Sequence, residues 1–320
     1  MRRWLARRTL QAALTLLIAL VLLFLLIHVL PGDPLAREGE RALTPQQTEA
    51  LRARYGLDRP LVGQLAAFLG GLAKGDLGVS IQYGRPVTEL LLERLPATAL
   101  LGGTVLLLNF VLGVWLGVRQ AVRKDSREDR WITTLSLAGY ATPSFWLGMV
   151  LAGFVGVRWR LLPPAGMRDP LGTGGTLPTA VDVLRHLILP AITLSVVSIA
   201  GTMRYQRAAL LEVLRLPYIV TARAKGLPES RVIWRHAWRN ALFPVLTLFG
   251  LWLPILVSGS VFVESVFAWP GLGSLAIGAV GNRDYPLLVG AAVLVALVVV
   301  LGTWLSDVAY AVLDPRVRTS

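Results

Sequence analysis

Cysteine is absent from all 320 residues, which removes disulfides, thiolate metal sites and cysteine nucleophiles and says little about compartment. Histidine occurs three times, as His28, His186 and His236, so far apart in the chain that no metal-binding set assembles from the sequence. No Gly-x-x-x-x-Gly-Lys-Ser/Thr phosphate loop occurs, so the chain does not hydrolyse ATP by that route. A Gly-x-Ser-x-Gly elbow and an intramembrane His-Glu-x-x-His are missing as well, which argues against a membrane hydrolase. Gly271 to Ala276 matches a loose dinucleotide fingerprint, but it follows Trp269-Pro270 rather than a strand and reads as coincidence. Charge is scarce too, at 16% of residues, and the acidic share is the smaller: 19 Asp and Glu against 32 Lys and Arg.

What fills the chain instead is apolar. Hydrophobic residues make up 54% and the mean hydropathy is +0.61, too apolar for an ordinary soluble domain. Six stretches are long enough, or nearly so, to cross a bilayer: 9–30, 97–118, 131–157, 187–203, 240–266 and 286–310. The fourth is short and contains Pro190; Pro244 and Pro254 should kink the fifth. The expected fold is therefore an all-α polytopic bundle of six transmembrane helices. The net charge of +13 belongs to a basic membrane protein rather than to a nucleic-acid binder, because Lys and Arg sit mostly between and beside the spans.

Arg2, Arg3, Arg7 and Arg8 resemble the start of a signal peptide, yet the apolar run to Leu30 exceeds a signal core and lacks a small-x-small cleavage pattern. Residues 1–30 therefore read as a retained anchor and first span. Lys and Arg are about twice as dense in 1–8, 119–130, 204–239 and 311–320 as in 31–96, 158–185 and 267–285. The positive-inside rule then puts both termini and the 204–239 loop in the cytoplasm of a multi-pass protein of the cell (inner or plasma) membrane.

The division expected along the chain is an anchor at 1–30, an extracytoplasmic segment at 31–96, a five-span core at 97–310 and a tail at 311–320. Segment 31–96 is too long for a plain connection and reads as helical. Thr44-Pro-Gln-Gln47 is a capping-box pattern, and Gly56 ends that helix. Leu61, Leu65, Phe68, Leu69 and Leu72 recur on one helical face. Pro86 to Leu95 suggests a third, short helix lying on the membrane before Pro96 opens the second span.

The longest polar interruption in the second half runs from Tyr218 to Asn240. A short helix can run from Tyr218 to Lys225 and stop at Gly226, with Pro228 in the first turn of a second helix. There Arg231, Arg235 and Arg239 form a basic stripe, with Trp234 and Trp238 beside it. From the residues alone, these stripes suit an interfacial amphipathic helix as well as a docking surface.

Thr221-Ala-Arg-Ala-Lys-Gly-Leu227, with Val232-Ile233, His236 and Arg239-Asn-Ala-Leu242, resembles the coupling-loop signature of ABC-importer permeases of the dipeptide, oligopeptide and nickel subfamily. Of the broad importer consensus, Glu-Ala-Ala-x-x-x-Gly, only Ala222 and Gly226 match, and Val220 stands where the Glu would fall. Leu30-Pro-Gly-Asp-Pro34, Tyr55-Gly-Leu-Asp-Arg-Pro60, Gly75-Asp-Leu-Gly78 and Glu93-Arg-Leu-Pro-Ala-Thr98 are similar to that subfamily's first extracytoplasmic region. Trp269-Pro-Gly-Leu-Gly273, Asp284-Tyr-Pro286 and Leu313-Asp-Pro-Arg316 are similar to its C-terminal end.

The resemblance implies a non-enzymatic permease that imports dipeptides or oligopeptides by alternating access. It implies pairing with a second, homologous permease, two ATP-binding subunits that hold ATP and Mg, and an extracytoplasmic substrate-binding protein. It implies that Tyr218, Thr221, Ala222, Arg223, Ala224, Lys225, Gly226, Leu227, Arg231, Arg235 and His236 couple the chain to the ATPase. No cofactor or metal is expected in the chain itself. Nickel or glutathione remain alternative cargoes of the same importer type. An ion-driven secondary transporter without ATPase partners is the alternative from another class.

Span centres carry no Asp, Glu, Lys, Arg or His, whereas ion-coupled carriers usually place such groups at mid-membrane. Glu264 and Asp307 lie near span ends, where hydration is cheap, so Glu264 reads as a solvated carboxylate at the outer interface, with contact to a partner's binding surface as the alternative. Gly113-Val-Trp-Leu-Gly117 is a small-x-x-x-small face suited to close helix contact. Asn109, Thr142, Ser144, Thr193, Ser258 and Ser260 suit helix–helix hydrogen bonding or a wet pathway alike. Ser195, Ser198 and Thr202 share one stripe of the fourth span and are the candidates for pathway lining.

Overall fold

The computed structural model describes residues 2–29, 60–169, 176–242, 244–245, 252 and 261–313. They form helices plus one isolated antiparallel bridge, Val79 to Pro86. Helix α1 is Arg2–Val29, α2 Leu61–Ala73, α3 Val87–Val122, α4 Arg127–Ala141 and α5 Ser144–Leu151, the last continued by a π-helical stretch, Ala152–Arg158. Helix α6 is Thr176–Val213 and α7 Pro217–Ala224. Glu229–Arg231, the π-helical Val232–Ala237 and Trp238–Ala241 run on as one helix, α8. The short α9 covers 261–266, α10 is Leu272–Gly281 and α11 Tyr285–Leu313.

The all-α membrane class expected from the sequence is the one that forms. Among the described residues, Arg3–Leu26, Val87–Val122, Thr179–Val213 and Tyr285–Val308 are long and apolar enough to cross a bilayer; α4 and α5 together add a fifth if they count as one span. Most of the expected 240–266 span, with Pro254, Ser258 and Ser260, lies outside the described residues. So do the capping pattern at 44–47, Gly56 and the end of the tail.

Three boundaries differ from the sequence reading. The third span is not straight: α4 and α5 meet at 99°, because Pro143 disfavours helical backbone at Thr142, which is extended instead. The expected membrane-surface helix before Pro96 is not separate but the first turns of α3. Its buried stripe of Val87, Leu90, Leu91, Ala97, Thr98, Leu101 and Val105 keeps register through the proline, so packing offsets the one lost hydrogen bond. The fourth span is much longer than its apolar run, since α6 continues through His186 and Arg204.

Helices α3 and α6 lie side by side in the same direction. Ala97 and Leu101 share one apolar cluster with Leu187, Leu189, Ala191 and Leu194. Farther along, a Cβ added at Gly113 would stand 3.0 Å from the Thr202 Cβ, and one at Gly117 only 2.6 Å from the Met203 carbonyl oxygen. The small-x-x-x-small face thus lets two backbones meet. Helix α11 runs parallel to α3, its start against Val87 and Leu91, and α1 runs antiparallel to α11. Arg8 lies 3.6 Å from Asp307, and the Trp304 indole N–H donates to the Thr9 hydroxyl at 3.2 Å. One end of the bundle therefore gathers Arg8, 119–130 and 204–239, and the other gathers 60–86 and 264–285.

Candidate functional site

Pro217 opens α7 at a position where its missing N–H costs nothing, and the helix closes in a Schellman arrangement. Gly226 N–H donates to Arg223 O at 2.9 Å and Leu227 N–H to Ala222 O at 3.4 Å. Gly226 holds φ +75°, the left-handed backbone a glycine adopts without cost, and no atom stands within 4 Å of where its Cβ would be. The turn is thus bare backbone presented to solvent. Pro228 then caps α8.

Two links set the angle between α7 and α8. Arg223 makes a bidentate pair with Glu229, at 2.6 and 3.1 Å. The hydrogen bonds from Arg223 hold the Glu229 carboxyl below its usual 4.5. Tyr218 donates its hydroxyl to His236 O at 3.4 Å and accepts from the Asn240 amide at 2.7 Å.

The inner face of the loop is apolar and closed. Ile219, Ala222, Val232, Ile233, Ala237 and Ala241 bury against Val118 and Ala121 of α3 and Leu210 of α6. Full burial of Ile219 alone stabilises this seat by about 1.5–3 kcal/mol. Thr221, Arg223, Ala224, Lys225, Gly226, Arg231 and Arg235 are exposed, as is Tyr218, while Leu227 and His236 are half-buried. Ala222 is the exception among the expected coupling residues: it faces the protein interior and fastens α7 in place.

A second connection was not legible in the sequence. Asp129, 4% exposed at the start of α4, takes both arms of Arg207 from α6, at 2.8 and 3.2 Å. It also accepts from the Gln120 amide at 3.2 Å and from the Asp125 N–H at 3.0 Å. Arg207 lies one helical turn before Leu210, so the seat of the loop is joined to α3, α4 and α6 together.

Ser195, Ser198 and Thr202, the candidates for pathway lining, lie inside the chain. All three are buried, at 4%, 2% and 0% exposure, so within a single chain they face no open path. Thr202 packs on Gly113 of α3, and the Ser198 hydroxyl donates to the Ser195 carbonyl at 3.2 Å within α6.

Glu264 also departs from its sequence reading. It is fully buried, not solvated, and its carboxylate accepts from Thr98 Oγ at 2.8 Å and from the N–H groups of Gly273 and Ser274 at 2.7 and 3.1 Å. Those amides open α10, where the unpaired N–H groups favour an anion. The stretch resembling a dinucleotide fingerprint is therefore an anion cradle filled by the chain's own side chain. Asp284, also fully buried, plays a similar part: it accepts from the N–H groups of Ile81 at 3.2 Å, Gln82 at 3.1 Å and Leu287 at 3.3 Å.

Residues 109–319 match the family described as binding-protein-dependent transport system inner membrane component, and residues 1–102 match the N-terminal region described for such membrane components. The chain is 39% identical over 319 residues to the oligopeptide transport system permease protein AppB of Bacillus subtilis (strain 168), covering 99% of this chain and 100% of the relative. It is 39% identical over 316 residues to the dipeptide transport system permease protein DppB of Escherichia coli (strain K12), 93% of each chain. It is 37% identical over 318 residues to the glutathione transport system permease protein GsiC of Pectobacterium atrosepticum, 99% of each.

Proposed function

Since the chain belongs to the binding-protein-dependent inner membrane components, the permease subunits of ABC importers, we propose that it carries dipeptides or oligopeptides and takes its energy through the 217–241 loop. The observation that carries the energetic part is the exposed turn at Gly226 on a loop whose other face is seated on α3 and α6. Thr221, Arg223, Ala224, Lys225 and Gly226 dock on a separate ATPase subunit. The absent side chain at 226 lets backbones approach, and Lys225 supplies charge. Arg231, Arg235 and His236 on α8 move with the loop.

Two ATPase subunits hold ATP and Mg and perform the hydrolysis; this chain binds neither. A second, homologous permease completes the path, and an extracytoplasmic binding protein delivers the peptide. Both termini and the loop lie in the cytoplasm, as the distribution of Lys and Arg favours. Closure of the ATPases pushes α7, and the apolar seat and the Asp129–Arg207 pair pass the displacement to α3, α4 and α6. To swing the pathway from inward to outward facing, ATP binding must favour one state by a few kcal/mol.

A detergent pull-down on the tagged chain tests this reading. It is expected to recover two nucleotide-binding polypeptides and a second permease. Recovery of the chain alone, with solute movement in the absence of nucleotide, would establish an ion-driven carrier instead. Labelling that placed residue 226 on the outer face would overturn the orientation. Identifying the ligand of the co-purified binding protein separates peptide from nickel or glutathione.

A further inference from the structure

At the basic end of the bundle, arginines sit on aromatic rings. Arg8 lies 5.9 Å from the Trp4 ring centre, Arg119 5.3 Å from Trp115 and Arg204 4.6 Å from Tyr140. On α8 the rings of Trp234 and Trp238 meet edge to face at 5.6 Å, with Arg235 and Arg239 exposed one position after each. Indoles beside guanidiniums are an arrangement that lipid headgroups select.

The α8 arginines differ from their neighbours in lacking acids. Arg119, Arg123, Arg207 and Arg223 each face a carboxylate: Glu128, Glu128, Asp129 and Glu229. Arg235 and Arg239 face none among the described residues, while the opposite side of α8 is closed against α3 and α6. Their charge thus points away from the chain and stays unneutralised.

Their depth fits a headgroup layer. Arg239 and Arg235 precede Leu242, where the next apolar run begins, by about 4.5 and 10.5 Å along a helix axis. The headgroup zone is roughly 5–8 Å thick on each side of the hydrocarbon. An upright α8 therefore carries Arg239 inside that zone and Arg235 a few ångströms beyond it, within reach of its long side chain, and a helix tilted by about 40° or more carries both within it.

We propose that Arg235 and Arg239, flanked by Trp234 and Trp238, bind the phosphate headgroup of an anionic phospholipid where α8 enters the membrane. Phosphate takes the planar fork of each guanidinium, and the exposed Trp234 indole lies against the glycerol and upper acyl region, while Trp238 packs inward on the apolar seat of the loop. The lipid contacts the outer side of α8 while protein packing holds the inner side. This rests on the chain being a membrane permease and not on the assignment of any partner.

The test titrates the purified, delipidated complex with phosphatidylglycerol, and with phosphatidylcholine as control, and counts bound lipids by native mass spectrometry. Arg235→Gln with Arg239→Gln should weaken binding of the first phosphatidylglycerol roughly 30-fold and leave phosphatidylcholine unaffected. Arg235→Lys with Arg239→Lys should retain most of the affinity, which separates charge from folding. Unchanged phosphatidylglycerol binding in the Gln variant overturns the proposal. Loss of ATPase subunits with lipid binding intact overturns it too, and makes the stripe a protein-docking face.

Discussion

Glu264 and Gly273 are joined by a 2.7 Å hydrogen bond from the glycine N–H to Glu264 Oε2, at a spot where a Cβ on Gly273 would crowd that oxygen at 2.9 Å. The same Cβ would also stand 2.5 Å from the Val261 Cα, so Gly273→Ala must displace backbone and not only a side chain. Glu264→Gln leaves a neutral amide against buried N–H groups that require an acceptor, at a cost of about 1–3 kcal/mol. Thermal unfolding in detergent should show both variants melting below the parent. An unchanged midpoint for Glu264→Gln would mean that the carboxylate contributes nothing to anchoring α10.

The two glycines of α3 are not equivalent. A Cβ on Gly113 would meet the Thr202 Cβ at 3.0 Å, which a shift of a few tenths of an ångström relieves, whereas one on Gly117 would meet the Met203 carbonyl oxygen at 2.6 Å and the Gln206 Cβ at 2.7 Å, so backbone must move. Gly117→Ala should therefore destabilise by about 1–3 kcal/mol and Gly113→Ala by less. Equal melting temperatures for the pair would contradict the close approach of α3 and α6.

Gly226 separates backbone strain from docking. Gly226→Ala meets open space and pays only the left-handed penalty of about 1–2 kcal/mol, so insertion and most transport should survive. Gly226→Arg should also insert, yet abolish transport and co-purification of the ATPase. Full transport by the arginine variant would remove the docking role from this turn.

Arg223 holds the Glu229 carboxyl below its ordinary value, so the clip between α7 and α8 is complete at neutral pH. A depressed acid loses its contribution as pH falls through the folded value. Hydrogen-exchange protection of 224–231, taken relative to the intrinsic rate at each pH, should therefore stay flat from neutrality down to the ordinary carboxylate value of 4.5 and fall below it. Glu229→Gln should raise exchange at neutral pH and flatten the profile. A parent profile that opened near pH 7 would point to another group.

Asp129→Ala strands Arg207, which keeps partial contact with solvent at 29% exposure. Loss of one partner of a buried pair costs about 3–5 kcal/mol, with the lower figure expected here because Arg207 is partly hydrated. In the reconstituted importer, ATP hydrolysis should fall less than peptide uptake, since the link between loop and helices is what fails. Parallel loss of both activities would assign the pair to general stability alone.

Membrane class, the approximate place of the spans among the described residues and the bent loop were legible, because each depends on local properties. Runs of apolar residues read as spans whatever they pack against, and Gly226 followed by Pro228 marks a helix end and a helix start by backbone chemistry alone. The 99° break at Thr142-Pro143 had a signal, the restriction a proline places on the residue before it, but the flanking apolar run masked it. The continuation of α3 through Pro96 had none. Only the buried stripe on both sides of the proline, visible once α10 and α11 are in place, shows why the helix does not stop.

From its residues alone, then, the chain settles what must lie in lipid, which loop is basic and amphipathic, and where that loop turns, since hydropathy and backbone allowance act over a few neighbours. Only the packed structure decides which polar groups are interior. Glu264 and Asp129 are acids at span ends in the sequence. Partners 9 to 166 residues away turn the first into a cap for α10 and the second into a clamp on α6. Ser195, Ser198 and Thr202 are likewise interior to the single chain. Burial of a charge or a hydroxyl is a property of what surrounds it, and that surrounding comes from distant parts of the chain.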